Sequence, residues 1–145
     1  MLLPDEKTRT LSQKHSSGLN QKFPCFFQLD EKHIPHITLV HGELKDTDLE
    51  KISQKLSMIS KDFHEISVLP VDVRRGVDVK TFIGVYFNSE QIVKLRQRVY
   101  EEVSEYVTNI SLFRDPHLTL TRLKSEKDAE SALLQIKGIF NDKFI

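Results

Sequence analysis

Apolar and polar residues alternate in two short segments, each of which reads Pro-His-apolar-Thr-Leu. Neighbouring side chains of a β-strand point to opposite faces, so this alternation is typical of a half-buried strand. In the first segment His36 and Thr38 would share one face, with the aliphatic residues on the other. The same count places His117 and Thr119 together in the second segment. Each strand is therefore predicted to carry an imidazole beside a hydroxyl.

Three other stretches have apolar residues at three- and four-residue steps, the spacing of amphipathic helices. They cover residues 46–63, 89–103 and 126–140. Side chains that can accept hydrogen bonds from the first turn precede or begin each of them. The candidate N-caps are Asp46 or Thr47, Asn88 or Ser89, and Ser125.

Apolar runs rich in β-forming residues predict further strands at residues 23–29, 65–73 and 79–87. Gly42 is expected to form a turn after the first motif, and residues 74–78 a second turn. The predicted order is β, β, α, β, β, α, β, α, which favours an α+β fold with helices on one side of a mostly antiparallel sheet. Sheet twist would make the other side concave, and both His-x-Thr pairs would project there.

Residues 1–22 lack this patterning. They are polar, and the His-Ser-Ser-Gly sequence at positions 15–18 resembles a linker. They are predicted to be a leader or linker, followed by one domain at residues 23–145. If the chain is part of a larger polypeptide, this leader would contain the junction.

Composition narrows the class of protein. The chain has 145 residues, a length that fits one domain, and its 21 basic and 21 acidic residues give no net charge. Duplex DNA binding, which needs a basic excess, is disfavoured, whereas a short oligonucleotide needs only a local site. One cysteine allows no internal disulfide, and no apolar run is long enough for a membrane span. A cytoplasmic protein is the simplest expectation.

Two imidazoles and two hydroxyls on one surface suit phosphodiester chemistry. A base must take a proton from the attacking oxygen and an acid must protonate the leaving oxygen, and histidine does either near neutral pH. Threonine hydroxyls can donate to phosphate oxygens where charge develops. No cofactor is expected. A zinc site remains an alternative, although no suitable third ligand accompanies the two histidines.

The two segments resemble the paired His-x-Thr-apolar signatures of the 2H phosphoesterase superfamily, and the resemblance covers residues from Phe23 onwards. Gly42 after the first motif and Arg122 after the second agree with it. It implies two pseudo-symmetric lobes around a cleft and metal-independent action on 2′,5′-linked or 2′,3′-cyclic phosphates of RNA. By position, it implies that His36 and His117 are the acid–base pair and that Thr38 and Thr119 bind phosphate. Which histidine is the base stays open.

Within the superfamily, the chain most resembles the 2′,5′-oligoadenylate phosphodiesterases, which include a C-terminal domain of the rotavirus capping enzyme. That resemblance implies degradation of the messenger that activates ribonuclease L, and hence an antiviral-pathway antagonist acting in the host cytoplasm. Two alternatives remain. One is an enzyme that acts on 2′,3′-cyclic phosphates or oligouridine 3′ ends of RNA, and the other is a binding module without turnover.

Four further residues are candidate substrate contacts. Arg122 would face away from Thr119 on a regular strand, because the offset is odd, unless a β-bulge reverses it. An adenine could stack on aromatic side chains, since such stacking tolerates any base. The candidates are Phe82, Tyr86 and Phe113. His33, His41 and His64 are interpreted as residues without a catalytic role.

Overall fold

A computed structural model of the chain describes residues 1–112 and 115–137. The helices and strands in these residues, in chain order, are α1 (Glu6–Asn20), β1 (Cys25–Gln28), β2 (His41–Leu44), α2 (Leu49–Asp62), β3 (Pro70–Arg75), β4 (Phe82–Phe87), α3 (Glu90–Val103), β5 (Val107–Ser111), β6 (His117–Leu123) and α4 (Glu126–Ile136). None of these helices is long and apolar enough to cross a membrane.

The strands form two antiparallel sheets. One has four strands in the order β1-β6-β4-β3, and the other pairs β2 with β5. Helices α1 and α4 pack on the larger sheet, and α2 packs on α3. The predicted α+β class with mostly antiparallel sheets is confirmed.

The aliphatic face of β6 lies at the centre of the core. Leu118, Leu120 and Leu123 are at most 1% exposed, as is Ile83 on the neighbouring strand β4. Leu118 and Leu120 therefore bury the face that the alternation predicts, and the opposite face of the strand carries His117. Burial of such side chains is the main force that holds a strand in register.

Residues 1–22 are not the linker that their polarity predicts. Asp5 caps α1 by accepting a hydrogen bond from the Thr8 amide at 2.6 Å, and the helix packs on β1 and β6. The prediction fails because this helix buries small polar side chains in place of large apolar ones, so the periodicity of hydrophobic residues is absent. The buried positions are Thr8, Ser12, Ser16 and Leu19.

The first motif is not the regular strand that its alternation predicts. Within residues 36–40 only Ile37 makes β-bridges, to Leu2 on one side and Leu118 on the other. The next strand, β2, begins at His41 and includes the expected turn residue Gly42. A Cβ atom on Gly42 would lie 2.3 Å from Cγ1 of Val107, so this glycine permits close strand pairing instead of a turn.

Other boundaries shift by a few residues. Ser89 and Ser125 cap α3 and α4 as predicted, accepting from the Ile92 and Asp128 amides at 3.3 and 3.1 Å. Helix α2 begins at Leu49, after a 3₁₀ turn at Asp46–Asp48, and strand β5 was not predicted. Strands β3 and β4 begin later than expected, at Pro70 and Phe82. Phe113 and the end of the last predicted helix lie outside the described residues.

Candidate active site

Both motif histidines line one cavity of about 590 Å³. Thr119, Arg122 and Phe82 also belong to its wall, so five of the predicted site residues meet there. Apolar and basic side chains complete the lining: Met1, Phe27, Leu29, Lys32, His33, Ile34 and Val79. The cavity thus combines a polar region suited to a phosphate with an apolar region suited to a base.

The two histidines make the same hydrogen bond. Nδ1 of His36 lies 2.8 Å from the carbonyl oxygen of Ile34, and Nδ1 of His117 lies 3.0 Å from that of Asp115. Because a carbonyl only accepts, Nδ1 must carry the proton, which leaves Nε2 as the nitrogen that can exchange one. A proline separates donor and acceptor in both motifs and favours an extended conformation in the residue before it.

The Ile37–Leu118 bridge brings the two motifs together. Because the bridge is antiparallel, the same register aligns His36 with Thr119 and Thr38 with His117. In that register each histidine would lie opposite the threonine of the other motif. Thr38 itself is half-buried and is not part of the cavity wall, in contrast to Thr119.

A register shift in β6 turns Arg122 towards the cavity. Thr119 pairs with Gly84 and Thr121 pairs with Ile83, so the residue between them on β6 has no partner on β4. One extra residue on a strand reverses the faces that follow it. Arg122 accordingly shares the cavity with Thr119 despite their odd spacing.

Aromatic rings of β4 enclose His117. The ring centroid of Phe82 lies 5.4 Å from that of His117, and the centroid of Tyr86 lies 5.2 Å away. Tyr86 is only 5% exposed and packs on the Arg74 guanidinium, so it lies behind the histidine and not in the cavity wall. A Cβ on Gly84 would lie 3.1 Å from the Phe82 ring and 3.4 Å from the Tyr86 ring, so a side chain there would disturb both.

This enclosure changes the acidity of His117. Burial lowers its pKa, while the hydrogen bond to the Asp115 carbonyl acts in the opposite direction. The positive charge of Arg96 lowers the pKa further. Arg96 is itself buried, and its Nε donates to the Leu39 carbonyl oxygen at 3.3 Å, behind the first motif. His117 therefore favours its neutral form, which is the form that accepts a proton.

A family model described as the 2′-5′ RNA ligase superfamily matches residues 22–143. The chain belongs to this superfamily. Its members, the 2H phosphoesterases, are typically phosphodiesterases or cyclic phosphoesterases, and membership supports a phosphodiester-cleaving or RNA-ligase-like activity for this chain. The resemblance drawn from the doubled motif is confirmed at this level.

Helix α1 precedes the region that matches the superfamily, yet it supports the site. Oγ of Ser16 accepts from the Leu29 amide at 2.8 Å, and Oδ1 of Asn20 accepts from the Thr121 hydroxyl at 2.8 Å. Leu29 lines the cavity, and Thr121 adjoins Arg122. The sequence offers no obvious signal for these contacts, because each joins residues far apart in the chain.

Some supporting residues were missed although the sequence contains a local signal for them. The X-Pro-His sequence occurs in both motifs and identifies Ile34 and Asp115 as the carbonyl acceptors. Gly84, between two aromatic residues of a strand, marks a place where a neighbouring group approaches closely. Among residues 1–112 and 115–137, no three His, Cys, Asp or Glu side chains form a group that could hold a metal ion.

Proposed function

We propose that this protein cleaves 2′,5′-linked oligoadenylates without a metal ion, using His36 and His117 as an acid–base pair. The observation that carries the proposal is their matched placement. Both histidines line one cavity, and both direct Nδ1 to a backbone carbonyl. Two histidines fixed in the same tautomer suit a reaction in which one nitrogen removes a proton while another supplies one.

On this proposal His117 is the base, because burial favours its neutral form. Its Nε2 takes the proton of the ribose 3′-hydroxyl beside the 2′,5′ linkage. That oxygen bonds to phosphorus, the bond from phosphorus to the 5′-oxygen breaks, and His36 donates a proton from Nε2 to the departing oxygen. The products of this step are a 2′,3′-cyclic phosphate and a free 5′-hydroxyl.

The phosphate would be held from both motifs. Thr119 can donate its hydroxyl hydrogen to a non-bridging oxygen, and Arg122 in the same cavity supplies positive charge. Thr38 would act from the other motif, where the bridge register aligns it with His117. Such donors accelerate cleavage when they bind the transition state more strongly than the substrate.

The adenine would occupy the apolar part of the cavity. Phe27 and Phe82 both belong to its wall and offer aromatic surface. Stacking of a base on such a ring is worth about 1–3 kcal/mol. By removing oligoadenylates, the protein would act in the cytoplasm against ribonuclease L activation, as an immune antagonist if its source is viral.

The test is incubation with 2′,5′-triadenylate and with its 3′,5′ isomer, both in the presence of EDTA. We expect loss of the 2′,5′ compound alone, and no loss with the His36→Ala/His117→Ala double variant. Cleavage that requires added metal, or equal cleavage of both isomers, contradicts the proposal. If neither is cleaved, RNA ending in a 2′,3′-cyclic phosphate and oligouridine are the next substrates, and binding without turnover of any of them would indicate a binding module.

A further inference from the structure

The connection between β1 and the first motif forms a wall of the cavity that acid–base chemistry does not use. Lys32, His33 and Ile34 of this connection all line the cavity. His33 is thus a third histidine at the site, although its sequence context indicated no catalytic role. Its backbone amide and its Nδ1 both hydrogen-bond to Asp30.

Asp30 organises this connection. Its Oδ1 accepts from the Lys32 amide at 2.8 Å, from the His33 amide at 2.7 Å and from His33 Nδ1 at 3.1 Å. The backbone hydrogen bonds lower the pKa of the Asp30 carboxyl, as does its contact with the His33 side chain. The carboxylate therefore holds both the backbone and the imidazole of His33.

Helix α1 fixes the start of the same connection. Nε2 of Gln13 donates to the Asp30 carbonyl oxygen at 3.2 Å, and the Leu29 amide donates to Ser16. The other end is the buried Pro35. A connection anchored at both ends loses little conformational entropy when it binds a ligand.

We propose that His33 recognises the base of the substrate and selects one that presents an exocyclic amino group, as adenine does. This inference rests on the proposed function and assigns the specificity of the same cavity. Nδ1 donates to Asp30, so Nε2 of the neutral ring carries the lone pair and acts as an acceptor. That nitrogen has no protein partner within the described parts of the chain, and it accepts a hydrogen from the amino group.

The Phe27 ring lies beside His33 in the cavity wall. Its centroid lies 5.8 Å from that of His33, with 32° between the ring planes, and both residues line the cavity. A base that stacks on Phe27 would bring its edge towards the His33 ring. Hypoxanthine has a carbonyl oxygen where adenine has its amino group, so it would set one acceptor against another.

The decisive measurement compares 2′,5′-triadenylate with 2′,5′-triinosinate at about pH 8. Binding is measured by calorimetry on the His36→Ala/His117→Ala protein, which lacks the acid–base pair and therefore does not consume the ligand. We expect triadenylate to bind about tenfold more tightly, as expected for one partly exposed hydrogen bond. Equal affinities would overturn the proposal.

Two further substitutions in that background separate recognition from stability. His33→Phe keeps a ring beside Phe27 but removes the acceptor. The variant should therefore bind triadenylate and triinosinate with about equal affinity. His64→Phe is the matched control, since His64 is also exposed but does not line this cavity, and it should leave the preference unchanged. A tenfold preference that persists in His33→Phe contradicts the proposal.

The tautomer provides an independent readout. Imidazole ¹⁵N shifts of His33 should report a protonated Nδ1 in the wild-type chain, and Asp30→Asn should reduce both that signature and the preference for triadenylate. A His33 ring protonated at Nε2 would overturn the proposal even if all variants fold. If the wild-type protein cleaves no 2′,5′ linkage but the His33-dependent preference for triadenylate remains, the proposed function fails and this inference stands. If the protein cleaves the 2′,5′ linkage but shows no preference between the two ligands, the proposed function stands and this inference fails.

Discussion

The two motifs have the same lettering but different backbones. The second lies in β6, which pairs with β1 on one side and β4 on the other. The first has no regular strand, and only Ile37 makes β-bridges. Both histidines nevertheless direct Nδ1 to the carbonyl two residues earlier. The local X-Pro-His geometry, not the sheet ladder, therefore orients the imidazoles.

The surroundings of the motifs differ as well. Phe82 and Tyr86 enclose His117, and burial lowers its pKa. Thr119 lines the cavity, whereas Thr38 does not. A duplicated sequence has thus been placed in two environments, which is what a reaction with one base and one acid requires.

The largest expected loss of activity comes from substitution of the two motif histidines. His36→Ala and His117→Ala should each lower kcat for 2′,5′-triadenylate by about 100- to 10,000-fold, the usual contribution of a general acid or base. The residual pH–rate profiles should differ. A base acts when neutral, so His117→Ala should abolish the loss of activity towards low pH, whereas His36→Ala should retain it.

The controls for this comparison are unfolding midpoints and triadenylate affinity, both of which should stay close to wild type. Identical residual pH profiles for the two variants would contradict the division of roles between His117 and His36. A small loss of kcat in either variant would contradict acid–base participation by that residue.

Substitution of the motif threonines should give the next largest loss of activity, and it compares the two motifs directly. Thr119→Val should lower kcat/KM by about tenfold or more, because a hydrogen bond to a charged group contributes about 1.5–3 kcal/mol. Thr38→Val should cost less, since Thr38 is outside the cavity wall. Steady-state kinetics on both variants checks this. Equal losses would show that the motifs bind phosphate symmetrically despite their different exposure.

Much of the site was predictable because the doubled motif is local and its alternation is strong. The faces of residues 117–120 in β6 follow from side-chain period, and outside the site the helix caps Ser89 and Ser125 follow from capping chemistry. Arg122 was less predictable, because its direction depends on a register shift against β4. No periodicity within one strand reports how a neighbouring strand is aligned with it.

For the first motif and for α1, the secondary structure predicted from the sequence was wrong. The alternation around Ile37 is genuine, and its aliphatic side chain is buried, but extended chain that is bridged at one residue alone buries the same residues as a strand. Helix α1 was missed because its contacts with the sheet use Ser16 and Asn20, whose partners are distant in sequence. Hydrogen bonds between distant residues leave no periodic pattern.

A smaller effect concerns the aromatic enclosure of His117. Phe82→Ala would admit water to the imidazole, so the lowered pKa of His117 should rise towards its ordinary value. Because the base must be neutral, the low-pH limb of kcat/KM should move to higher pH. Phe27→Ala is the control, since Phe27 lines the cavity but packs on His33, and it should raise KM without moving that limb. An unmoved limb in Phe82→Ala would mean that its ring does not control the acidity of the base.

The smallest expected effect concerns the attachment of the second motif to α1. Asn20→Ala removes one acceptor of the Thr121 hydroxyl, which still donates to the Phe27 carbonyl oxygen at 3.1 Å. The free energy of unfolding, measured in urea, should therefore fall by only about 1 kcal/mol. Thr10→Ala, an exposed position on the same helix, should stay within about 0.5 kcal/mol of wild type. Equal changes in the two variants would mean that α1 holds this motif by packing alone. A loss of kcat in Asn20→Ala would show in addition that the Asn20–Thr121 hydrogen bond positions the neighbouring Arg122.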